Sequence, residues 1–218
     1  MKKGDVVKIN YVGRLETGEI FDLTLEDVAK KEGIYSEKIK YGPIPILIGA
    51  GFVIRGLENA ITEMSVGEKK SFGVEPKDGF GERDPKLVKV VPQKVFKDQR
   101  VDPRQGMIVD FSGMKGRIQS VSGGRIRIDF NNPLAGKTLK YELEIVENIE
   151  DPVEKMRGIF EFFGFRDADV SMTEGEATVR VTIPNEMKPK ISSVILENIQ
   201  EVKKLSFVES FEKRKKEQ

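Results

Sequence analysis

The sequence contains no histidine, no cysteine and no tryptophan among its 218 residues. Without cysteine there is no disulfide framework, no thiolate nucleophile and no cysteine zinc site. Without histidine there is no Ser-His-Asp triad, no imidazole base and no HExxH metal motif. The groups left for chemistry are carboxylates, lysine, tyrosine, hydroxyls, the backbone and apolar pockets, so we expect neither a cofactor nor a metal.

The sequence also lacks an excess of either charge and any long apolar run. Its 37 basic and 36 acidic residues give a net charge of +1, which provides no global reason to expect nucleic acid or an anionic membrane as a partner. No apolar run approaches the ~18 residues of a membrane span. The first residues, MKKGD, lead directly into an alternating strand without the apolar core of a signal peptide. We therefore expect a cytoplasmic protein with no membrane partner.

Apolar periodicity divides the outer parts of the chain into short strands and helices. Alternating apolar residues predict half-buried strands at 5–15, 44–48 and 139–145. Helical spacing predicts a short amphipathic helix over 57–64 and another short helix over 25–33.

Residues 85–129 differ from the rest in charge and in pattern. They hold ten Lys and Arg against four Asp, a net charge of +6, so the remainder of the chain carries −5. Short β-like runs occur at 107–111, 116–121 and 125–130, and Ser122-Gly123-Gly124 predicts a tight turn between the last two. This segment is predicted to be a small all-β module.

The last third of the chain, 151–218, is long enough to form a small α+β domain. Its periodicity predicts, in chain order, a helix, a strand, a helix and a strand at 153–163, 177–183, 191–205 and 206–211. The charged end, 212–218, includes a Lys-Arg-Lys-Lys run that we interpret as a solvated tail.

Two glycine patterns imitate nucleotide-binding loops. Gly-Lys-Thr at 136–138 resembles the end of a P-loop, but Asn131 stands where its first glycine is required, and a strand pattern follows instead of a helix. In Gly-Ala-Gly at 49–51, the third glycine of a dinucleotide-binding motif would fall at Ile54. Nucleotide binding is not expected.

Four segments in order resemble the FKBP family of peptidyl-prolyl cis-trans isomerases. They are VKINYVGRLETGEIFDLT (7–24), GFVIRGLENAITEMSVGEKKSF (51–72), DGFGERDP (78–85) and NNPLAGKTLKYELEIV (131–146). The interruption at 85–129 is similar to the insert-in-flap domain of the SlyD-type subgroup, and 151–218 is similar to the C-terminal extension of archaeal long-type FKBPs. The FKBP-like domain would then comprise 1–84 and 130–150.

The resemblance implies an α+β fold and an apolar pocket. The fold would be a curved antiparallel sheet around one short helix, with the all-β insert and the C-terminal α+β extension. The catalytic positions carried over are Tyr11, Phe21, Asp22, Ile54, Phe80 and Tyr141, and further pocket positions are Ile44, Val53 and Leu57. Leu57 stands at the pocket floor, where the family often has Trp, which predicts a roomier pocket.

The implied reaction suits a chain without histidine or cysteine. Rotation about an Xaa-Pro bond is slow because of amide resonance. An apolar pocket favours the less polar, twisted amide, so no base, nucleophile or metal is required. The resemblance suggests that the Ile54 N–H donates to a substrate carbonyl and that Asp22 orients a tyrosine hydroxyl or polarises the site.

The resemblance also implies chaperone activity and polypeptide partners. In the insert, the candidate contacts for unfolded or proline-containing chains are Val90, Val91, Val95, Phe96, Met107, Phe111 and Met114. The alternative is that such residues form the core of the insert. The charge of the insert could attract acidic clients or ribosomal RNA, or could act as a soluble shell. Apolar helices in 151–218 could support a homodimer. The alternative function is a non-catalytic chaperone or a ribosome-associated binding module with a degenerate pocket.

Overall fold

The computed structural model describes residues 1–111 and 113–209. Its elements in chain order are β1 (Val6–Leu15), β2 (Ile20–Leu23), α1 (Glu26–Lys31), β3 (Ile44–Leu47), α2 (Arg55–Glu63), β4 (Lys69–Val74), β5 (Val88–Pro92), α3 (Lys94–Asp98), β6 (Ile108–Phe111), β7 (Met114–Ser122), β8 (Arg125–Asp129), β9 (Leu139–Ile149), α4 (Pro152–Phe162), β10 (Asp169–Thr173), β11 (Glu176–Arg180), α5 (Met187–Asn198) and β12 (Lys204–Phe207). Single 3₁₀ turns lie at Pro76–Asp78 and Pro85–Leu87. The predicted α+β class is confirmed.

The described chain forms two compact units. The first comprises Met1–Val74 and the described chain from Leu139 onward, and the second is Glu75–Thr138. In the first unit, an antiparallel sheet has the order β2-β1-β9-β4, and β3 pairs with the first half of β1. The strands predicted at 5–15, 44–48 and 139–145 are confirmed, and β9 continues further than predicted, to Ile149.

The helix α2 packs against this sheet through its apolar face. It begins at Arg55, two residues before the predicted start, and Leu57, Ala60 and Ile61 are its buried side chains. Gly56 lies so close to β4 that a Cβ there would meet Val74 Cγ1 at 2.5 Å. Because a glycine has no side chain, the first turn of α2 can make this close approach.

The second unit contains a four-stranded antiparallel sheet with the order β5-β8-β7-β6. Gly123 and Gly124, both at positive φ (57° and 72°), form the predicted turn between β7 and β8. The structure differs from the all-β expectation in one helix, α3, whose five residues are too few to show helical periodicity. Strand β5 was also not predicted.

The extension contains α4, α5 and a three-stranded sheet with the order β10-β11-β12. Strands β11 and β12 are parallel, and α5 connects them as a crossover helix. Strand β10 was not predicted. The helix predicted to reach 205 ends at Asn198, because Ile199 has an extended backbone (φ −108°, ψ 97°) while its side chain stays buried. The predicted last strand is present as β12, but residues 210–211 and the charged tail at 212–218 lie outside the described residues.

The extension shares one hydrophobic core with the first sheet. Val6, Leu47 and Ile149 from the sheet pack in the same cluster as Met156, Ile159 and Phe160 of α4. These six side chains are at most 5 % exposed. The same cluster includes Ile191 and Ile195 of α5, which are fully buried. The apolar helix faces on which the homodimer prediction depended therefore pack against other residues of the same chain. The homodimer stays a prediction, without support from these faces.

Across residues 1–111 and 113–209, no helix combines the length and the apolar character needed to cross a bilayer.

Candidate active site

A β-bulge in β2 brings an aromatic side chain onto β1. The register pairs Gly13 with Asp22 and then Arg14 with Ile20, so Phe21 is an extra residue on β2. Bulges redirect side chains and are frequent next to active sites. Here the Phe21 ring covers Gly13, since a Cβ on Gly13 would lie 2.6 Å from Phe21 Cζ. Only glycine at this position leaves room for the ring.

Three aromatic rings from three other strands contact the Tyr141 ring. Tyr141 on β9 is the register partner of Gly13, and its ring meets Phe21 edge to face at 5.7 Å and 86°. The Tyr11 ring is tilted against the Tyr141 ring by 57°, with the centroids 6.0 Å apart. Phe72 on β4, the register partner of Tyr141, stacks on it at 6.1 Å and 17°. Phe72 is not among the predicted site residues, because its place beside Tyr141 depends on the pairing of β4 with β9, which a local pattern does not show.

One hydrogen bond connects the ring cluster to a carboxylate. The Tyr11 hydroxyl donates to Asp22 Oδ2 at 2.7 Å. Burial raises the pKa of Tyr11 far above its usual value, and the hydrogen bond to Asp22 and the Asp22 charge add to the effect. Burial and the Asp22 charge raise the pKa of Tyr141 to about 12. Both phenols are therefore uncharged at neutral pH, and the arrangement supplies hydroxyl donors.

A buried threonine fixes the backbone next to this hydrogen bond. Thr24 is 5 % exposed, and its Oγ1 accepts from the Tyr11 N–H at 2.9 Å and donates to Asn10 Oδ1 at 3.0 Å. Its own N–H donates to the Tyr11 carbonyl at 3.0 Å, and its carbonyl accepts from the Gly42 N–H at 2.8 Å. Thr24 thus holds Tyr11 and the segment leading to β3. The sequence analysis missed it, because nothing in the pattern showed that a hydroxyl here is buried.

The entrance of α2 carries the remaining predicted pocket residues of the first unit. Val53 and Ile54 are half-buried and precede the helix, and Leu57 in its first turn is 3 % exposed. The Ile54 carbonyl accepts from the N–H groups of Leu57 and Glu58, both at 3.0 Å. Its N–H precedes the helical ladder and has no acceptor within it. Ile44 lies on β3 opposite Ile9 of β1.

Phe80 belongs to the second unit. It is half-buried and follows the 3₁₀ turn Pro76–Asp78, and the Gly81 N–H closes this turn on the Pro76 carbonyl at 2.8 Å. The direct contacts described above therefore join Tyr11, Phe21, Asp22 and Tyr141 of the predicted catalytic set, and the role of Phe80 stays a prediction.

The predicted contact residues of the insert divide into a buried and an exposed group. Val91 and Phe96 are 9 % and 5 % exposed and belong to the hydrophobic core of the insert, which corrects their assignment as client contacts. Val95 and Phe111 are partly buried against that core. Val90, Met107 and Met114 are exposed, as is Ile108, which the sequence analysis did not select. Val91 faces the core because alternate residues of a strand face the inside of the sheet, and Phe96 is the buried side chain of α3.

Comparison with curated proteins finds relatives over much of the chain. A short-type peptidyl-prolyl cis-trans isomerase from Methanocaldococcus jannaschii is 37 % identical over 145 residues, which are 66 % of this chain and 92 % of the relative. An FKBP-type 16 kDa peptidyl-prolyl cis-trans isomerase from Escherichia coli is 32 % identical over 134 residues, 58 % of this chain and 86 % of the relative. This chain belongs to the FKBP family of peptidyl-prolyl cis-trans isomerases.

The comparisons also identify the subgroup of this FKBP. The family model for the FKBP26 IF domain matches residues 89–134, which include most of the predicted insert. The FKBP-type isomerase SlyD of Escherichia coli is 30 % identical over 154 residues, 69 % of this chain and 71 % of the relative. The chain is thus a SlyD-like FKBP and an enzyme of the peptidyl-prolyl isomerase class, rather than the non-catalytic module considered as an alternative.

Replacing Thr24 by Val should lower both stability and catalysis. Valine keeps the shape but removes the acceptor for the Tyr11 N–H, and a buried unpaired donor costs about 1–3 kcal/mol. The measurements are denaturant unfolding and kcat/KM for cis-trans exchange of an Xaa-Pro peptide. Thr24→Ser retains the hydroxyl and is the control. If the Val and Ser variants behaved alike in both measurements, the positioning role of the hydroxyl would be wrong.

The raised pKa of Tyr141 predicts a loss of stability at alkaline pH. An unfolded tyrosine ionises near pH 10, whereas the folded side chain keeps its proton to about pH 12. The contribution of Tyr141 to the free energy of unfolding is therefore fully present below pH 10. It falls by about 2 kcal/mol as the pH rises from 10 to 12.

Guanidinium unfolding at pH 9 and pH 12 measures this loss in the wild type and in Tyr141→Phe. Lysine deprotonation affects both proteins alike, so the difference between them isolates the tyrosine. The Phe variant should lose less stability, and an equal loss would contradict the assignment.

Proposed function

We propose that this FKBP accelerates Xaa-Pro rotation by desolvation and positioning, without proton transfer. The observation that carries the proposal is the cluster of Tyr11, Phe21, Phe72 and Tyr141, which gathers rings from four strands around one point. A planar amide is dipolar, and its twisted transition state has lost resonance and is less polar. Apolar surroundings therefore favour the transition state over the ground state, which is the requirement for catalysis.

The residues of the site would divide the work as follows. The rings of Tyr11, Phe21 and Tyr141 contact the proline. Leu57 forms the apolar floor, with Ile44 and Val53 beside it. The Ile54 N–H, which lies outside the helical ladder, donates to a substrate carbonyl and holds the chain next to the rotating bond.

Asp22 is proposed to act by orienting Tyr11. Its carboxylate accepts the Tyr11 hydroxyl at 2.7 Å, which favours this role over direct polarisation of the substrate. An ionised acceptor makes this hydrogen bond stronger than a neutral one, so the Tyr11 ring is held in one orientation. Because the Tyr11 phenol has a strongly raised pKa, it acts as a fixed donor rather than as an acid.

Replacing Phe21 by Ala tests this mechanism. The variant loses a ring contact and apolar surface at the reacting bond, so kcat/KM for a short Xaa-Pro peptide should fall about tenfold, equivalent to about 1.4 kcal/mol. Phe165→Ala removes a half-buried ring from the core of the extension and is the matched control.

The wild type should also show a solvent deuterium isotope effect near one and a constant kcat/KM between pH 6 and 9. A bell-shaped pH profile or an unchanged rate in Phe21→Ala would contradict the mechanism.

We further propose that the insert binds unfolded chain as a chaperone surface. Val90 and Ile108, on strands β5 and β6, are 60 % and 61 % exposed. Their neighbours Val91 and Val109 face the core, so both exposed residues lie on the outer face of the sheet. Val90 pairs with Arg127, and Ile108 pairs with Arg117. Each exposed apolar side chain therefore has an exposed arginine next to it.

This mixed surface fits unfolded segments that carry both apolar and acidic side chains. The exposed methionines Met107 and Met114, whose flexible side chains adapt to varied partners, support the same interpretation. Holding a client there raises its concentration near the isomerase site, which would help slow Xaa-Pro steps in proteins more than in short peptides. A contact with ribosomal RNA through the same arginines is an alternative outcome, and strong salt dependence of RNA binding would reveal it.

The double variant Val90→Ser, Ile108→Ser should separate the two activities. Catalysis of a proline-limited protein refolding reaction should fall several-fold, because apolar contact with the client is lost, while turnover of a short Xaa-Pro peptide stays at the wild-type value. Leu196→Ser is the control, since Leu196 is an apolar residue of the extension with 43 % exposure. Equal losses with peptide and protein, or the same loss in the control, would contradict the chaperone role of the insert.

A further inference from the structure

The loop between β3 and α2 has a backbone that glycine makes adaptable. Gly49 and Gly51 both have positive φ, 87° and 69°. The Gly49 N–H donates to Glu58 Oε1 at 2.7 Å, whereas nothing lies within 4 Å of where a Cβ on Gly51 would stand. The same loop continues into Val53 and Ile54, the proposed substrate-binding residues. Holding a loop with two glycines in one conformation costs conformational entropy, so each further contact that fixes it contributes to its order.

The extension supplies an aromatic anchor for this loop. The Phe52 ring stacks on Phe162, at the end of α4, with the centroids 3.8 Å apart and the planes at 17°. Phe163 meets Phe52 edge to face at 5.6 Å and 79°, and it also packs edge to face on Phe162. Lys190 of α5 lies over the Phe163 ring, 5.5 Å from its centroid. Phe52 is thus held by two rings of the extension, and the residue that follows it is Val53.

A second contact joins the same helix to β3. At Gly158, a Cβ would lie 3.1 Å from Pro45 Cβ and 3.5 Å from Val6 Cγ1, so α4 approaches the strand closely at its glycine. Pro45 follows Ile44, another proposed pocket residue. The helix itself is fixed, because Met156, Ile159 and Phe160 are fully buried in the shared core. One rigid helix therefore contacts the chain beside the pocket at two separate positions.

We propose that the extension is a positioning element of the isomerase site, and that Phe162 acts through Phe52 to hold the Ile54 N–H in its substrate-binding position. This inference rests on the proposed role of Ile54. Phe162 itself is proposed as a positioning residue, because its ring contacts Phe52 and Phe163. The stack restricts the conformations of the glycine loop before substrate binds. Binding then costs less conformational entropy, because the loop is already ordered.

The test is Phe162→Ala in the full chain, with Phe162→Tyr as the rescue variant. An aromatic pair contributes about 0.5–1.5 kcal/mol beyond buried area, which corresponds to about a 2- to 10-fold fall in kcat/KM for an Xaa-Pro peptide. Tyrosine keeps the ring and should restore the rate. Amide hydrogen exchange of residues 49–54 should become faster in the Ala variant and return to the wild-type rate in the Tyr variant.

Phe207→Ala is the matched control, because Phe207 packs edge to face on Phe160 inside the extension, at 6.1 Å. It weakens the extension without touching the loop, so kcat/KM and loop exchange should stay unchanged below its melting temperature. If Phe162→Ala does not fold, Phe162→Leu removes the ring and keeps most of the volume. Wild-type kcat/KM in the folded Phe162 variant, or equal losses in Phe207→Ala, would overturn the proposal.

The Phe21→Ala variant distinguishes this inference from the proposed mechanism. A large loss in Phe21→Ala with no loss in Phe162→Ala leaves the pocket mechanism intact and refutes the positioning role alone. No loss in Phe21→Ala refutes the pocket mechanism itself.

Discussion

The geometry of the site depends on one extra residue in a short strand. Because Phe21 is a bulge in β2, both Phe21 and Asp22 lie opposite Gly13, and the ring occupies the space that any side chain at position 13 would fill. From the other side, β9 presents Tyr141 to the same glycine. A regular β2 would turn alternate residues to opposite faces of the sheet. It would then separate the ring that contacts Tyr141 from the carboxylate that holds Tyr11.

The extension belongs to the same folded unit as the ring cluster of Tyr11, Phe21, Phe72 and Tyr141. Its core includes Val6 and Leu47 from the strands of the isomerase sheet, and its first helix contacts the chain beside two pocket residues. A short-type peptidyl-prolyl isomerase matches about two thirds of this chain. Under the proposed positioning role, the extension supports a site whose predicted residues lie outside it.

Much of the strand pattern and the approximate position of α2 could be predicted from the sequence, because each has a strong period. The pocket residues came from the family resemblance, since single apolar positions do not distinguish a pocket wall from a core. The roles of Phe72 and Thr24 could not be predicted from the sequence. The role of Phe72 depends on strand register and that of Thr24 on burial, and a local sequence pattern shows neither. The same limit explains why Val91 and Phe96 were predicted as client contacts. An apolar side chain fits a binding surface as well as a core, and only the structure shows that these two are buried. The bulge at Phe21 could not be predicted either, because it is defined by the register of β2 with its partner strand.

The register of β1 with β9 has a consequence for the order of folding. Lys8 and Glu147, which form an ion pair between these strands, are 139 positions apart in the chain. Contacts this distant form slowly and cannot form until most of the chain has left the ribosome. The strands of the second unit are connected within Glu75–Thr138, and adjacent strands β7 and β8 meet through a tight turn. During synthesis, the surface proposed to hold clients can therefore be complete before the pocket that would act on them.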